Sequence, residues 1–225
     1  HSEGLMAGPA AKSLLSAVKH AGDIGISCEI VAVLDRADAL TKGVVRKAFG
    51  DNATYIESSA GDPAGARNAG IGAAKGRYAC FLDADDLWSE NWITESYTAA
   101  EERPDAVFHS ACNIIFGGNH FIFWHIDSES PHCDRDYLDF QNYWDALCFA
   151  RLEIFRRFPF RLNDLASGFG HEDWLWNAVT IDAGVPHKPV PGTIHFKRAR
   201  PGSQMQRVDE LGGVRFPADE SALRF

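Results

Sequence analysis

The chain has 225 residues, of which 45% are hydrophobic and 24% charged. At about 150 residues per domain this allows one large domain or two small ones, and the balance is that of a globular protein, not a disordered, collagen-like or coiled-coil chain. Lys and Arg number 22 against 31 Asp and Glu, a formal charge of −9, so the average surface repels phosphate backbones and nucleic acid is not an expected partner.

In chain order, Leu14, Leu15, Val18 and Ala21 recur at helical spacing over 9–21, and CEIVAVLD (28–35) follows as a short β-branched strand. Thr41 offers a cap for a helix carrying Val44, Val45, Ala48 and Phe49, stopped by Gly50-Asp51-Asn52, and ATYIE (53–57) is the next strand. Asp62-Pro63 predicts the start of a helix over 63–75, Gly76 its end, and RYACFLDADD (77–86) a buried strand ending in acid. Ser89 caps a helix to about Glu102, stopped by Pro104, and DAVFHS (105–110) is one more strand. Strands alternating with helices as far as 110 predict an open, mainly parallel α/β sheet. CNIIFGGNHFIFW (112–124) then reads as a hairpin about Gly117-Gly118-Asn119, and the remainder as α+β. That part holds a helix near 136–147, a basic-aromatic stretch at 152–160, a helix at 172–182 and a strand at 193–198. No repeat or linker divides the chain, so 1–110 and 111–225 are expected to form one domain.

Five cysteines without a CxxC pair suggest buried free thiols. No apolar run approaches the roughly 20 residues of a membrane span, and HSEGLMAGPAAK lacks the basic and apolar regions of a signal peptide. These features place the protein in the cytoplasm, with peripheral attachment to the inner face of the membrane as a variant.

Asp83 and Asp85 stand at i and i+2 at a strand end, so both carboxylates project from one face at the sheet edge where α/β proteins bind ligands. Hard oxygen ligands in that arrangement suit Mg²⁺ or Mn²⁺ completed by a substrate diphosphate; the alternative is a solvated acidic turn. Upstream, Gly65, Ala66, Ala69, Gly70, Ala73 and Ala74 let a helix pack closely on its sheet, with Arg67 and Asn68 as polar exceptions. Arg67 can hold a phosphate or orient an acid by bidentate hydrogen bonds, or be an ordinary exposed arginine. The glycines match neither GxGxxG after a strand nor GxxxxGK[ST].

Three blocks together resemble the inverting glycosyltransferases of family 2, with the GT-A fold. They are EIVAVLD, similar to the family's uracil-side strand; ARNAGIGAAKGRYACFLDADD, similar to its Ala-Arg-Asn helix and DxD strand; and GHEDWLW (170–176), similar to its Glu-Asp motif. The resemblance spans roughly 10–200. It implies transfer of a sugar from a nucleoside diphosphate, UDP favoured, to a hydroxyl of a glycan or lipid-linked acceptor, in polysaccharide or glycolipid assembly. It further implies that Asp35 contacts the donor's nucleoside and that Asp83 and Asp85 hold a divalent metal (Mn²⁺ or Mg²⁺) and the nucleotide, Asp85 most directly. Asp173 becomes the general base, and Glu172 its neighbour on the acceptor side.

The chemistry is consistent from first principles, since a departing diphosphate needs its charge neutralised and the attacking hydroxyl needs a base. A single in-line displacement inverts the anomeric carbon. Glu172-Asp173 also opens a helix, where the dipole favours carboxylates, and a plain helix-start charge pair would look the same.

The chain departs from the pattern at Leu34-Asp35-Arg36-Ala37, where the family has two acids, and Arg36 is left as a nucleotide contact or a solvated side chain. Near the C-terminus HFKRARPGS supplies Arg198 and Arg200 as a diphosphate clamp, and His195 as a third metal ligand or a structural strand histidine. His171, beside the base, and Trp174 are candidates for the acceptor side, with Trp176 pointing inward. Two other readings are a degenerate domain that binds nucleotide sugar or glycan without turnover, and a DxD phosphohydrolase of the haloacid-dehalogenase type. The latter needs its motif near the N-terminus and Thr or Val where this chain has Leu87. Finally, the family's first strand, central in its sheet beside 28–35, has no counterpart in 1–10; the expectation is a longer natural polypeptide with residues preceding His1, and either a sheet gap there or a strand from another segment or chain filling it.

Overall fold

The computed structural model describes residues 1–217 apart from Asn119, Pro201, Gln204, Met205, Arg207 and Asp209. Helix α1 (Ala7–Asp23) leads to strand β1 (Ile30–Asp35), α2 (Ala39–Phe49), β2 (Ala53–Ser58) and α3 (Pro63–Ala73). Strands β3 (Tyr78–Cys80) and β4 (Leu87–Trp88) precede α4 (Trp92–Glu102), β5 (Val107–Phe116) and β6 (Phe121–Trp124). Then come β7 (Phe149–Arg151), α5 (Leu152–Arg157), β8 (Phe169–Gly170), α6 (Glu172–Asp182), β9 (His187–Arg198) and β10 (Val214–Arg215).

The α/β alternation holds, but the pairing is mixed. β1 and β2 are parallel and form a sheet of their own, in which β1 has no second partner among the described residues. The larger sheet runs β3-β7-β5-β9-β4, with β6 beside β5. There only β5 and β9 are parallel, because β7 enters between β3 and β5 running against both and β6 pairs antiparallel with β5. β10 and β8 make a short parallel pair. β5 crosses residue 110, and β3 and β4 pair with β7 and β9, so the two halves of the sequence share one sheet.

Helix α1 ties the two sheets together. Its Ala17 and Ala21 pack with Trp88, Trp92, Phe108 and Phe149, while Ala7 and Ala11 pack with Ile30, Ala32, Leu34, Val45 and Phe49. A third cluster joins Ile71 of α3 to Phe155, Phe160 and Trp176.

Local chemistry explains where the elements begin. Asp62 caps α3 by accepting from Ala64 and Gly65, with Pro63 at the first helical position as expected. A Cβ added at Gly70 would lie 3.3 Å from Val33 Cγ2, so the small residues of α3 do set its close approach to β1. Asp38, not Thr41, caps α2, its Oδ1 accepting from the Thr41 N–H at 2.7 Å. The helix after Ser89 starts at Trp92 without a side-chain cap, and the Ser89 hydroxyl instead accepts from Ile194 N–H at 3.0 Å, holding that turn to β9.

Two predicted elements are shorter than expected, each for its own local reason. The helix expected near 136–147 is only a 3₁₀ turn at Tyr137–Asp139, because side chains there capture local backbone donors. Asp134 accepts from Asp136 and Tyr137, Asn142 from Trp144, and Asp145 from Leu147. The strand expected over 77–86 keeps its ladder only to Cys80, and the acidic end folds into a turn closed by Asp86 N–H on the Asp83 carbonyl at 3.1 Å.

Asn68 joins α3 to the segment leaving α5. Its amide donates to the Phe160 carbonyl at 2.7 Å and accepts from the Phe160 N–H at 3.0 Å. Asn68→Ala strips both partners from a part-buried peptide, so denaturant unfolding should show a loss of about 1–3 kcal/mol; an unchanged midpoint would mean that water replaces both bonds.

Candidate active site

Four loops converge where β1, the acidic turn, the start of α6 and the end of β9 meet. Asp35 ends β1 buried, and both its carboxylate oxygens accept from the Gly61 N–H, at 2.8 and 3.1 Å. Arg36, at φ 46°, donates through Nε to the Ser59 carbonyl at 3.0 Å and through Nη2 to the Ala60 carbonyl at 3.2 Å. It therefore clamps the β2–α3 loop, a role neither alternative for this arginine anticipates. Gly61 is required beside it, since its φ is +66° and a Cβ there would come within 2.3 Å of the guanidinium.

Arg67 projects from α3 and is buried, not exposed. Nη1 donates to Glu172 Oε1 at 2.8 Å and Nη2 to Asp83 at 3.3 and 3.4 Å, with the Phe160 ring 5.6 Å away. Burial opposes its charge, yet Asp83 and Glu172 hold the guanidinium protonated more firmly than usual. Of the roles open to it, orienting acids is the one the geometry realises. The other Glu172 oxygen accepts from Asn163 Nδ2 at 3.0 Å, and Asn163 Nδ2 also reaches the cap residue Asp62 at 2.9 Å.

Asp173 follows in the first turn of α6, after His171 in the left-handed region at φ 58° and ψ 54°. Its Oδ1 accepts from the Trp174 N–H at 2.8 Å. Burial, then the neighbouring Glu172 charge, push this carboxyl up to about 7, with Arg67 pulling the other way. Trp174 stands edge-on to His171 with ring centres 5.6 Å apart, and its indole N–H donates to the Leu138 carbonyl at 2.6 Å. Trp176 points inward, stacked on Phe155 and Phe160.

The acidic turn does not present its carboxylates together. Asp83 goes to Arg67, while Asp85 Oδ2 accepts from Arg200 Nε at 2.9 Å with Arg198 Nη1 at 3.7 Å. Arg200 continues through Nη2 to Glu3 at 2.6 Å. Asp86, given no role by sequence, is the most buried of the three; it accepts from the Arg198 N–H at 2.7 Å and faces Lys197 Nζ at 3.4 Å. Burial raises it to about 7 against the pull of Lys197. Lys197 also meets Asp145 at 3.2 Å, a pairing with no sequence signal beyond the basic run HFKRAR.

His195, expected as a third metal ligand, lies elsewhere. Its side chain is fully buried, edge-on to Trp92 with ring centres 4.4 Å apart and beside Trp88, and neither ring nitrogen has a partner. Burial pulls its pKa down to about 3, so it stays neutral. Among the described residues no three His, Cys, Asp or Glu side chains are grouped to hold a metal ion. The fold thus does not bring Asp83, Asp85 and His195 together in one cluster. Each acid has a protein cation as partner, and the histidine faces tryptophans.

Comparison with known proteins bears on the family and the fold. The family description "Glycosyl transferase family 2" matches residues 9–162. Over 61 residues, 25% of this chain, it is 39% identical to the amylovoran biosynthesis glycosyltransferase AmsB of Erwinia amylovora, covering 20% of that protein. Solved structures of S. aureus TarS 1-349 share the fold. The complex with UDP-GlcNAc superposes with a TM-score of 0.60 at 16% identity, over 89% of this chain and 58% of that one. The complex with UDP gives 0.57 at 16% identity, over 91% and 61%. The match thus spans about three fifths of those TarS chains and a fifth of AmsB. No helix among the described residues is long and apolar enough to cross a membrane. With the family's sequence pattern covering most of the chain and the GT-A architecture around it, the protein belongs to glycosyl transferase family 2.

Proposed function

We propose that this chain transfers a sugar from a nucleoside diphosphate donor to an acceptor hydroxyl with inversion, Asp173 acting as general base. The observation that carries this is the Arg67 bridge, which ties the acidic turn to the first turn of α6 through Asp83 and Glu172. Asp173 stands one residue beyond that bridge, and no basic side chain pairs with it among the described residues. A carboxylate lifted to about 7 is matched to taking a proton near neutral pH.

Asp35 and the loop it holds at Gly61 form the nucleoside side of the site, and Asp83, Arg67, Arg198 and Arg200 the diphosphate side. His171 and Trp174 stand on the acceptor side. In the transfer, the acceptor oxygen bonds to the anomeric carbon and its proton passes to Asp173. The bond to the diphosphate breaks on the opposite face, its electron pair leaving with the diphosphate. Glu172 stays on Arg67 throughout, so its negative charge keeps the base from being too weak. The TarS complexes with UDP-GlcNAc and UDP make uridine donors the first to test. The AmsB relative points to polysaccharide assembly and a glycan or lipid-linked acceptor.

A thermal-shift panel of UDP-, GDP- and dTDP-sugars identifies the donor, because a ligand of the native state raises the melting temperature. Turnover is then read as slow hydrolysis of that donor, water standing in for the acceptor. A protein that cleaves sugar monophosphates instead, or one that binds and never turns over, would overturn the proposal.

Asp173→Asn keeps the size but cannot accept a proton. Donor binding should persist in calorimetry while turnover drops about 10²–10⁴-fold; turnover within a few-fold of the parent would move the base elsewhere. Only ionised Asp173 can act, so kcat/KM should rise with pH through about 7 and then level. Glu172→Gln removes the adjacent negative charge and should shift that acid limb to lower pH; an unmoved limb would assign it to another group.

A further inference from the structure

Every carboxylate of the acidic turn is matched to a cation from the protein itself: Asp83 to Arg67, Asp86 to Lys197 and Asp85 to Arg200 with Arg198 close by. Asp85 matters most, being the residue from which a divalent ion would be expected to hang. Its side chain is only 14% exposed, and Oδ2 is taken by Arg200 Nε at 2.9 Å. Arg200 is fixed at its other end by Glu3 at 2.6 Å, so the guanidinium is held in place from two sides. The position is built by the fold. Arg198 is aimed by its own backbone N–H on Asp86 and closes β9, and Arg200 follows two residues later.

We propose that Arg198 and Arg200, seated on Asp85, are the cations that receive the donor's diphosphate, and that this chain binds a nucleoside diphosphate without a divalent metal ion. The proposal rests on the nucleotide-sugar function above and specifies how that site meets its ligand. Two guanidiniums carry the same formal charge as one divalent ion. They are permanently protonated, and each has five N–H donors in a planar fork suited to phosphate oxygens. Arg200 spends Nε and Nη2 on Asp85 and Glu3, and Arg198 touches Asp85 only through Nη1, at 3.7 Å. With side chains 24% and 32% exposed, both can meet a ligand from solvent. A metal at Asp85 would have to displace Arg200 and sit against two like charges. No third ligand stands ready among the described residues, since His195 is enclosed by Trp88 and Trp92.

The test is calorimetric titration of the full chain with UDP, and with uridine as the phosphate-free control, in EDTA and in Mg²⁺ or Mn²⁺. UDP should bind in EDTA with nearly the affinity seen in metal. Arg200→Gln and Arg198→Gln should each weaken UDP by about tenfold or more while leaving uridine binding unchanged. Both sites are partly exposed, and circular dichroism checks that the variants fold. UDP binding that appears only with metal and vanishes in EDTA would overturn the proposal while leaving the nucleotide-sugar function standing. So would Gln variants that bind UDP in EDTA as the parent does. Failure of UDP, GDP and dTDP alike to bind in any buffer would overturn both.

Discussion

A single buried guanidinium holds the site together. Arg67 joins Asp83 and Glu172, acids 89 residues apart in sequence, at 3.3 and 2.8 Å. A buried charge is tolerated only when its partners are present and themselves hydrogen-bonded, and the surroundings meet that condition. Glu172 is completed by Asn163, Asn163 by Asp62, and Asp62 caps the helix that carries Arg67. The chain of bonds closes on itself, so the first turn of α6 cannot drift from α3 without breaking charged contacts. Asp173 stands beside this network with no cation paired to it among the described residues, and burial together with the Glu172 charge raises its pKa.

A second network acts from the other side. β9 pairs with β5 and β4, and so crosses the larger sheet before delivering Lys197, Arg198 and, just beyond it, Arg200 to the acidic turn. Lys197 is half-buried, and desolvation would lower its pKa, but Asp145 and Asp86 outweigh that and keep it charged. Behind Asp145 lies a polar core of neutral histidines. His109 Nε2 and His187 Nδ1 are 2.9 Å apart, and His187 Nε2 meets Thr180 Oγ1 at 2.9 Å. Burial drives His109 down to about 4 and His187 well below its ordinary range, so this layer carries hydrogen bonds and no charge. The ammonium of Lys197 is the link between that layer and the turn.

Helix α1 has a comparable role among the apolar contacts. Its alanines let it lie against both the β1–β2 sheet and the tryptophan-rich core under β4 and α4. Small side chains are needed on both sides because the helix is shared between two surfaces, and any larger residue at Ala17 or Ala21, each fully buried, would push one of them away. The end of β1, with Asp35, is thereby kept in register with the acidic turn.

Local sequence determined the helices with clear caps and periodicity, the strands 30–35 and 53–58, the hairpin and the family itself. Asp62-Pro63 and Glu172-Asp173 started helices as expected because capping is a matter of neighbouring residues. Asp83, Asp85 and the Arg67, Arg198 and Arg200 positions were likewise visible as residues. Their partners were not. That Asp83 and Asp85 turn to different arginines depends on a turn that ends strand periodicity at Cys80, and that turn is held by Lys197 and Arg198 more than a hundred residues away. His195 shows the same limit: its place on a strand was legible, but whether it met carboxylates or tryptophans was decided by the pairing of β9 with β4. Short-range rules act through bonds and local hydrogen bonding, whereas charge pairing and burial depend on which distant segments share a volume, and only the folded chain specifies that.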